Sequence, residues 1–163
     1  MFVLIAIFFV AEKALDAQSS ISGTYRSYFG EKLELRSDST FSYSRSHDLA
    51  SQWATGIWHE ENGFIELKVV PIFDTIRISG SQTNSIKDSL VMSDNQQSSL
   101  ISLEDHTASL LTSRHQTLEI NFSNLFTKGD RLFHVKKNGH LSRKRVRRFL
   151  SRKRPSYFFR VKD

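Results

Sequence analysis

The sequence contains no cysteine and little glycine, and each of these shortages excludes a class of protein or site. Without cysteine, the chain has no disulfide, no thiolate nucleophile, no N-terminal lipidation site at a cysteine and no cysteine-based zinc site. With only seven glycines, a loop that cradles phosphate is not expected, and the GxGxxG, P-loop and GxSxG motifs are absent. At 163 residues, a single domain nevertheless buries enough surface to be stable without disulfides.

Recognisable metal-binding and catalytic motifs are also missing. The six histidines are scattered, and none has the HExxH spacing or another spacing typical of metal ligands. His47-Asp48 and Glu104-Asp105-His106 come closest to acid–base clusters, but both lie in predicted turns, where polar residues are expected anyway. We therefore predict no catalytic residue, no metal and no cofactor. One enzymatic hypothesis stays open, in which carboxylates and a histidine meet at the mouth of a barrel.

The longest apolar run, residues 2–11, is too short to cross a membrane. Ten residues form about 15 Å of helix, half of the roughly 30 Å hydrocarbon core, so a spanning anchor is not favoured. Residues 1–17 instead predict a signal peptide that is cleaved after Ala17, leaving residues 18–163 as one domain. The predicted location is secreted or periplasmic, with no transmembrane helix in the mature chain. The alternative is that this run forms a buried strand or helix of the core.

Apolar residues that alternate with polar ones predict an all-β domain. Leu33 and Leu35 fall on one face of a strand, and Phe41 and Tyr43 follow the same pattern after a turn at Asp38-Ser39. Short polar side chains favour such a turn because they hydrogen-bond to their own backbone. Residues 32–46 therefore form a predicted hairpin.

A second predicted hairpin surrounds Asn62-Gly63. Asn-Gly is a strong hairpin signal, because both central residues of a type I′ turn need positive φ angles. The strand before it contains Trp53, Ile57 and Trp58, and the strand after it begins at Phe64. We expect the rings of Trp53 and Phe64 to be buried.

Three segments carry a resemblance to a known kind of protein. They are Gly23-Thr24-Tyr25, then residues 33–43, LELRSDSTFSY, and then residues 56–67, GIWHEENGFIEL. Their succession resembles small exported bacterial proteins of lipocalin-like or META-like type, in which comparable segments form successive strands of a meander. The likeness covers about a third of the chain, and Ser39 stands where the turn glycine of those proteins is usual. The resemblance implies a fold and a compartment, but no activity.

Further short segments extend the predicted sheet. Strands are expected at 73–79, around Leu90-Val91-Met92, and at 98–103, 108–113, 116–122, 131–135 and 156–161, with a turn at 104–106 and another at Asn138-Gly139. Segments of this length at spacings near ten residues favour an antiparallel meander that forms a small barrel or sandwich. Residues 141–154 are the one candidate helix, with Ser142 as its cap and Pro155 as its end. The alternative for that stretch is an arginine-rich loop.

Charge divides the chain into two parts of opposite sign. Residues 1–135 contain 11 Lys and Arg against 16 Asp and Glu, a net of −5, whereas residues 136–163 contain 12 Lys and Arg against one acid, a net of +11. Clustered cations repel one another and therefore need anions nearby. The candidate anion-binding residues are Arg143, Lys144, Arg145, Arg147, Arg148, Arg152, Lys153 and Arg154. Phe149, Tyr157, Phe158 and Phe159 lie among the cations and would be able to stack on bases or insert at a membrane surface.

Three hypotheses about function follow from these features. The first is a secreted or periplasmic, non-enzymatic, lipocalin-like protein that binds a small apolar ligand in its barrel. The second is an envelope-surface module that binds anionic lipid or polysaccharide through its basic C-terminal segment 136–163. The third is the barrel-mouth enzyme described above. An exported protein would not meet nucleic acid as a physiological partner, and the basic segment is also compatible with a merely solvated face.

Overall fold

A computed structural model of the protein describes residues 20–47, 50–79, 86–112, 114–147 and 152–162. The strands are β1 (Gly23–Arg26), β2 (Glu31–Leu35), β3 (Thr40–His47), β4 (Ala50–Glu61), β5 (Phe64–Val69), β6 (Phe73–Ser79), β7 (Ile86–Met92), β8 (Leu100–Ile101), β9 (Arg114–Gln116), β10 (Asn124–Lys128), β11 (Arg131–His134), β12 (Arg145–Val146), β13 (Arg154–Pro155) and β14 (Phe158–Arg160). Helix α1 covers Leu103–Ser109. The predicted signal peptide, residues 1–17, lies outside the described residues.

Eight of these strands close into an antiparallel barrel. Their order around the barrel is β1, β2, β3, β4, β5, β10, β11 and β14, and β14 pairs again with β1. Every neighbour in this ring is also the next barrel strand along the chain, so the barrel is an up-and-down meander. The predicted all-β fold class is confirmed, and the barrel is the form that it takes.

The two predicted hairpins are the local units of this barrel. Leu33 pairs with Tyr43 and Leu35 with Phe41, as alternation requires. At the tip of the first hairpin, Ser39 has a φ angle of 66°, in the left-handed region that glycine adopts most easily. At the second tip, Asn62 and Gly63 have φ angles of 54° and 82°, as a type I′ turn needs.

The interior of the barrel is filled by its own side chains. Buried hydrophobic residues from all eight barrel strands pack together with residues of the preceding segments: Ile21, Tyr25, Leu33, Leu35, Phe41, Tyr43, Ala54, Trp58, Ile65, Leu67, Phe122, Leu125, Leu132 and Phe158. Several of them, including Leu33, Phe41 and Phe158, have no exposed surface. An eight-stranded barrel is just wide enough for side chains to occupy it completely, and this one follows that rule.

The predicted burial of Trp53 and Phe64 is half correct. Trp53 is buried, but it belongs to the outer face of β4, where its Nε1 donates a hydrogen bond to the carbonyl of Asp94 at 3.1 Å. Phe64 is 46% exposed on the outer face of β5, and its ring packs against Phe126 at 4.9 Å. The core position of this strand is taken by Ile65 instead.

Two insertions interrupt the meander. The first lies between β5 and β10 and begins with a small sheet in the order β7, β6, β8. Helix α1 and strand β9 follow, and β9 pairs in parallel with β4. The amide group of Gln116 ties this insertion together, because Ile72 donates to its Oε1 at 2.8 Å and its Nε2 donates to the Ile72 carbonyl at 2.9 Å. The second insertion, between β11 and β14, is the short antiparallel hairpin β12–β13.

Three predictions for the first insertion are wrong or misplaced. The predicted turn at 104–106 lies in α1, and the described part of the predicted strand at 108–113 lies in α1 and the turn after it. The helix forms because Ser102 caps it by accepting a hydrogen bond from the backbone of Asp105 at 3.0 Å. The predicted strand at 116–122 is formed only at its start, by β9. Phe122 still reaches the core from the loop before β10.

The candidate helix at 141–154 is wrong in the part of that stretch that the structure describes. Arg145 pairs with Pro155 and Val146 with Arg154, so both halves are extended and face each other as β12 and β13. Repulsion among closely spaced cations disfavours a single helical turn in which they would stack at three- and four-residue intervals. Residues 148–151 lie outside the described residues.

Candidate anion-binding site at the barrel mouth

The hairpin β12–β13 forms one wall of a cleft at an open end of the barrel. Three barrel residues lie at this end. Glu31 begins β2, Arg45 lies near the end of β3, and His134 is the last residue of β11. Lys144 and Val146 line the opposite wall. The cleft has a volume of about 650 Å³, and it lies outside the filled interior.

Backbone hydrogen bonds fix the hairpin on the barrel. After β11 the chain turns at Asn138-Gly139, and Val135 forms a bridge with Leu141. Ser142 then donates its backbone N–H to the carbonyl of His134 at 2.7 Å, which anchors the start of the hairpin to the end of β11. The predicted turn at Asn138-Gly139 is confirmed, because the Gly139 N–H donates to the carbonyl of Lys136 at 2.8 Å.

Alternation along the hairpin gives its two faces different surroundings. Ser142, Lys144 and Val146 line the mouth cleft. Leu141 and Arg143 line a separate concavity of about 490 Å³ on the outside of the barrel. Arg143 and Lys144 immediately precede β12, and these two neighbouring cations line different surfaces.

The seven described members of the predicted anion-binding set are exposed. They are Arg143, Lys144, Arg145, Arg147, Arg152, Lys153 and Arg154; the eighth, Arg148, lies outside the described residues. Register pairs Arg145 with Pro155 and Val146 with Arg154, so the two arginines lie on opposite faces of the hairpin. The Arg154 guanidinium stacks over the ring of Tyr28 at 5.3 Å. The described cations therefore lie on both faces of one projection rather than along a helix.

The carboxylates that the structure describes form few ion pairs, and most of this projection takes part in none of them. The ion pairs between described residues join Glu34 to Lys32 and to Arg36, and Asp130 to Lys162. Among the described residues, no carboxylate pairs with five of the hairpin cations, namely Arg143, Lys144, Arg145, Arg152 and Lys153. Within the described part of the chain, these five cations therefore have no ionic partner.

Aromatic residues near the basic segment are less accessible than predicted. Phe158 has no exposed surface and belongs to the core. Tyr157 packs against Phe133 at 5.2 Å, beneath the guanidinium of Arg131. Phe159 packs against Tyr28 at 5.1 Å. The prediction of stacking or insertion is therefore wrong for Phe158, and Phe149 lies outside the described residues.

Among the described residues that line the mouth cleft, Glu31 is the one carboxylate, and it already has partners. The Ser27 hydroxyl donates to its Oε2 at 2.6 Å, and the Tyr43 hydroxyl donates to its Oε1 at 3.2 Å. Burial, followed by the charge of Glu31, raises the pKa of Tyr43 above its ordinary value, so that this phenol stays protonated and keeps donating.

Aromatic rings enclose His134 at the base of the cleft. The imidazole lies 4.9 Å from the ring of Phe122 and 5.5 Å from that of Phe158. Burial lowers the pKa of His134 below its ordinary value, while the charge of Glu31 and a hydrogen bond to the backbone of Ser156 oppose part of that effect. The neutral imidazole is therefore the form that the folded protein favours.

We expect the stability of the protein to fall when the pH drops below about 6.5, the ordinary pKa of histidine. Because the pKa of His134 is lower in the folded state, the unfolded chain takes up the proton first, and each pH unit in that window costs at most about 1.4 kcal/mol. Urea unfolding at about pH 7.5 and 5.5 measures this loss. His134→Gln is expected to make this loss of stability smaller. The charged groups Glu31, Arg45 and Lys144 at the cleft are unchanged in this variant. An unchanged loss in that variant would contradict the assignment.

The third hypothesis, an enzyme with carboxylates and a histidine at the barrel mouth, is met only in part. Described residues bring one histidine and one carboxylate, His134 and Glu31, to the cleft. Asp74, Asp94 and Asp105 line another cleft, of about 300 Å³, in the first insertion. Within the described ranges, no three His, Asp or Glu side chains are grouped as a metal ion would require.

The charge pattern of the sequence draws attention to the hairpin cations, but no pattern in it points to the barrel side of the cleft. Arg45 and His134 are separated from each other by about ninety residues in the chain, and no motif connects them. Only the closure of the barrel brings the ends of β3 and β11 to the same mouth. No signal in a single sequence would have revealed that Arg45 and His134 lie at the same mouth of the barrel.

No family model, no curated protein and no solved structure matches this chain. The resemblance to lipocalin-like or META-like proteins therefore stays a prediction. Among the residues that the structure describes, none belongs to a helix long and apolar enough to span a bilayer.

Proposed function

We propose that the protein is a non-enzymatic, secreted or periplasmic binding protein that uses the hairpin β12–β13 to hold an anionic partner of the cell envelope. The chemistry that the partner must offer is a surface of phosphate, sulfate or carboxylate groups, as in anionic lipid or polysaccharide. The barrel acts as the rigid support that presents the hairpin. The export of the chain remains part of this proposal.

One observation carries the proposal. The hairpin projects cations that the acidic remainder of the chain leaves without ion pairs among the described residues, although that remainder has a net charge of −5. Concentrated positive charge destabilises a folded state unless anions screen it. A fold that needed this charge only for its own stability would be expected to pair it internally.

The residue types of the hairpin suit oxyanions. Arginine is more frequent than lysine between residues 143 and 154, and its planar guanidinium donates to two oxygens of one phosphate or carboxylate at once. The pairing of β12 with β13 holds Arg145 and Arg154 on adjacent strands, which reduces the entropy that binding must overcome.

Removing three exposed hairpin cations tests the proposal. The variant Arg145→Ser/Arg152→Ser/Lys153→Ser is expected to bind anionic surfaces about 100-fold more weakly, at about 1 kcal/mol for each cation near an anionic membrane. Binding would be measured on immobilised heparin and on vesicles of phosphatidylglycerol in phosphatidylcholine, at about 50 and 200 mM salt. Wild-type binding should weaken steeply between these salt concentrations.

A matched control removes the same charge from the barrel. Arg26→Ser/Lys32→Ser/Lys68→Ser changes three exposed cations on β1, β2 and β5, so that the net charge falls equally. We expect less than a twofold effect from it. Equal weakening by both triple variants would show that net charge, rather than the hairpin, governs binding. A wild-type protein that binds neither heparin nor anionic vesicles would overturn the proposal.

A further inference from the structure

We propose that the mouth cleft beneath the hairpin is a binding site for one small anionic amphiphile, a molecule with a carboxylate or phosphate head and a short apolar body. This site goes beyond the surface binding proposed above, because it uses the inner face of the hairpin and the rim of the barrel. The proposal rests on the shape of the cleft, its apolar lining and its charges.

Volume and depth set the size of the ligand. About 650 Å³ lies within the range of sites that hold small molecules. Leu33, Phe41 and Phe158 close the barrel below with no exposed surface, so the ligand cannot enter the interior as a long chain would. A short ligand that lies across the mouth fits this space.

The cleft offers an apolar surface to the apolar part of the ligand. Phe29 and Phe122 line the barrel side of the cleft, and Val146 lines the hairpin side. Phe122 is held by edge contacts with Tyr43 at 5.4 Å and Phe158 at 5.1 Å, so it presents a fixed wall rather than a mobile ring. Binding to such a preorganised wall costs little side-chain entropy.

The charges of the cleft select an anion. Arg45 on the barrel and Lys144 on the hairpin face the same space from opposite walls, and neither forms an ion pair with a described carboxylate. Glu31 is engaged by Ser27 and Tyr43. A cationic ligand would therefore meet two unpaired cations, whereas an anionic head would lie between them.

Decanoate tests the site against two probes of the same apolar length, decanol and decyltrimethylammonium. Titration calorimetry on the full chain is expected to show binding of decanoate at least tenfold tighter than of either probe. The His134 imidazole resonances should shift as decanoate is added, because that ring forms the base of the cleft. Equal affinity for decanol would show an apolar surface without head-group recognition and would overturn the proposal, as would the absence of decanoate binding.

The two faces of the hairpin provide a matched pair of variants. Lys144→Glu, inside the cleft, is expected to weaken decanoate binding at least tenfold, whereas Arg143→Glu, on the outer concavity, should change it less than twofold. Both side chains are exposed, so both variants should fold.

Both variants should weaken heparin binding to a similar extent, so loss of heparin binding alone tests the proposed function and not this site. Equal decanoate affinities in the two variants would place the ligand elsewhere. Arg45→Gln should also weaken decanoate binding.

Discussion

Ile65→Asp is expected to unfold the protein in water at room temperature. Ile65 has no exposed surface, and its strand β5 is paired on both sides, with β4 and with β10. Losing its burial costs roughly 2–3 kcal/mol, and an unpaired carboxylate in the filled interior costs several kcal/mol more. The sum is comparable with the whole stability of a small domain, about 5–15 kcal/mol.

The neighbouring residue provides the control for this prediction. Phe64 lies on the outer face of the same strand, 46% exposed, so Phe64→Asp loses mainly the contact with Phe126 and should cost about 1 kcal/mol. Far-ultraviolet circular dichroism and urea unfolding would compare the two variants. Because a slip of one residue exchanges the faces of a strand, the opposite ranking would show that the register of β5 is wrong.

The parts of the fold that sequence reasoning predicted are those with local causes. Asn62-Gly63 and Asp38-Ser39 each need only their own dihedral angles and the residues beside them to form a turn. Leu33 and Leu35 alternate within one strand, and their partners Phe41 and Tyr43 follow a few residues later. Consecutive antiparallel strands therefore left a pattern that a single sequence shows.

The missed parts depend on contacts between distant residues. Strand β10 pairs Leu125 with Ile65, sixty residues earlier, and its short sequence has no strong alternation of its own. Trp53 is buried on the outer face of β4 because the first insertion covers that face, and alternation alone does not say which faces will be covered. In the same way, the charge pattern located the hairpin cations but gave no reason to place Arg45 opposite Lys144.

Gly56→Ala is expected to destabilise the protein by about 3 kcal/mol, although alanine is a small change and the position is an ordinary strand residue. A methyl group at Gly56 would lie 2.0 Å from the carbonyl oxygen of Lys68 and 2.7 Å from Cε1 of Phe41. The oxygen belongs to the backbone of β5, so β4 and β5 must separate where Gly56 pairs with Val69. Urea unfolding followed by tryptophan fluorescence would measure the loss.

Gly129→Ala separates this collision from the general cost of replacing glycine. At Gly129 a methyl group would meet no atom within 4 Å, but the φ angle of 58° is left-handed, so alanine there should cost roughly 1–2 kcal/mol through the backbone alone. A larger loss at Gly129 than at Gly56 would contradict the close approach of β4 and β5. Shrinking the ring in Gly56→Ala/Phe41→Leu should not restore stability, because the nearer obstacle is the backbone oxygen of Lys68, which no side-chain substitution removes.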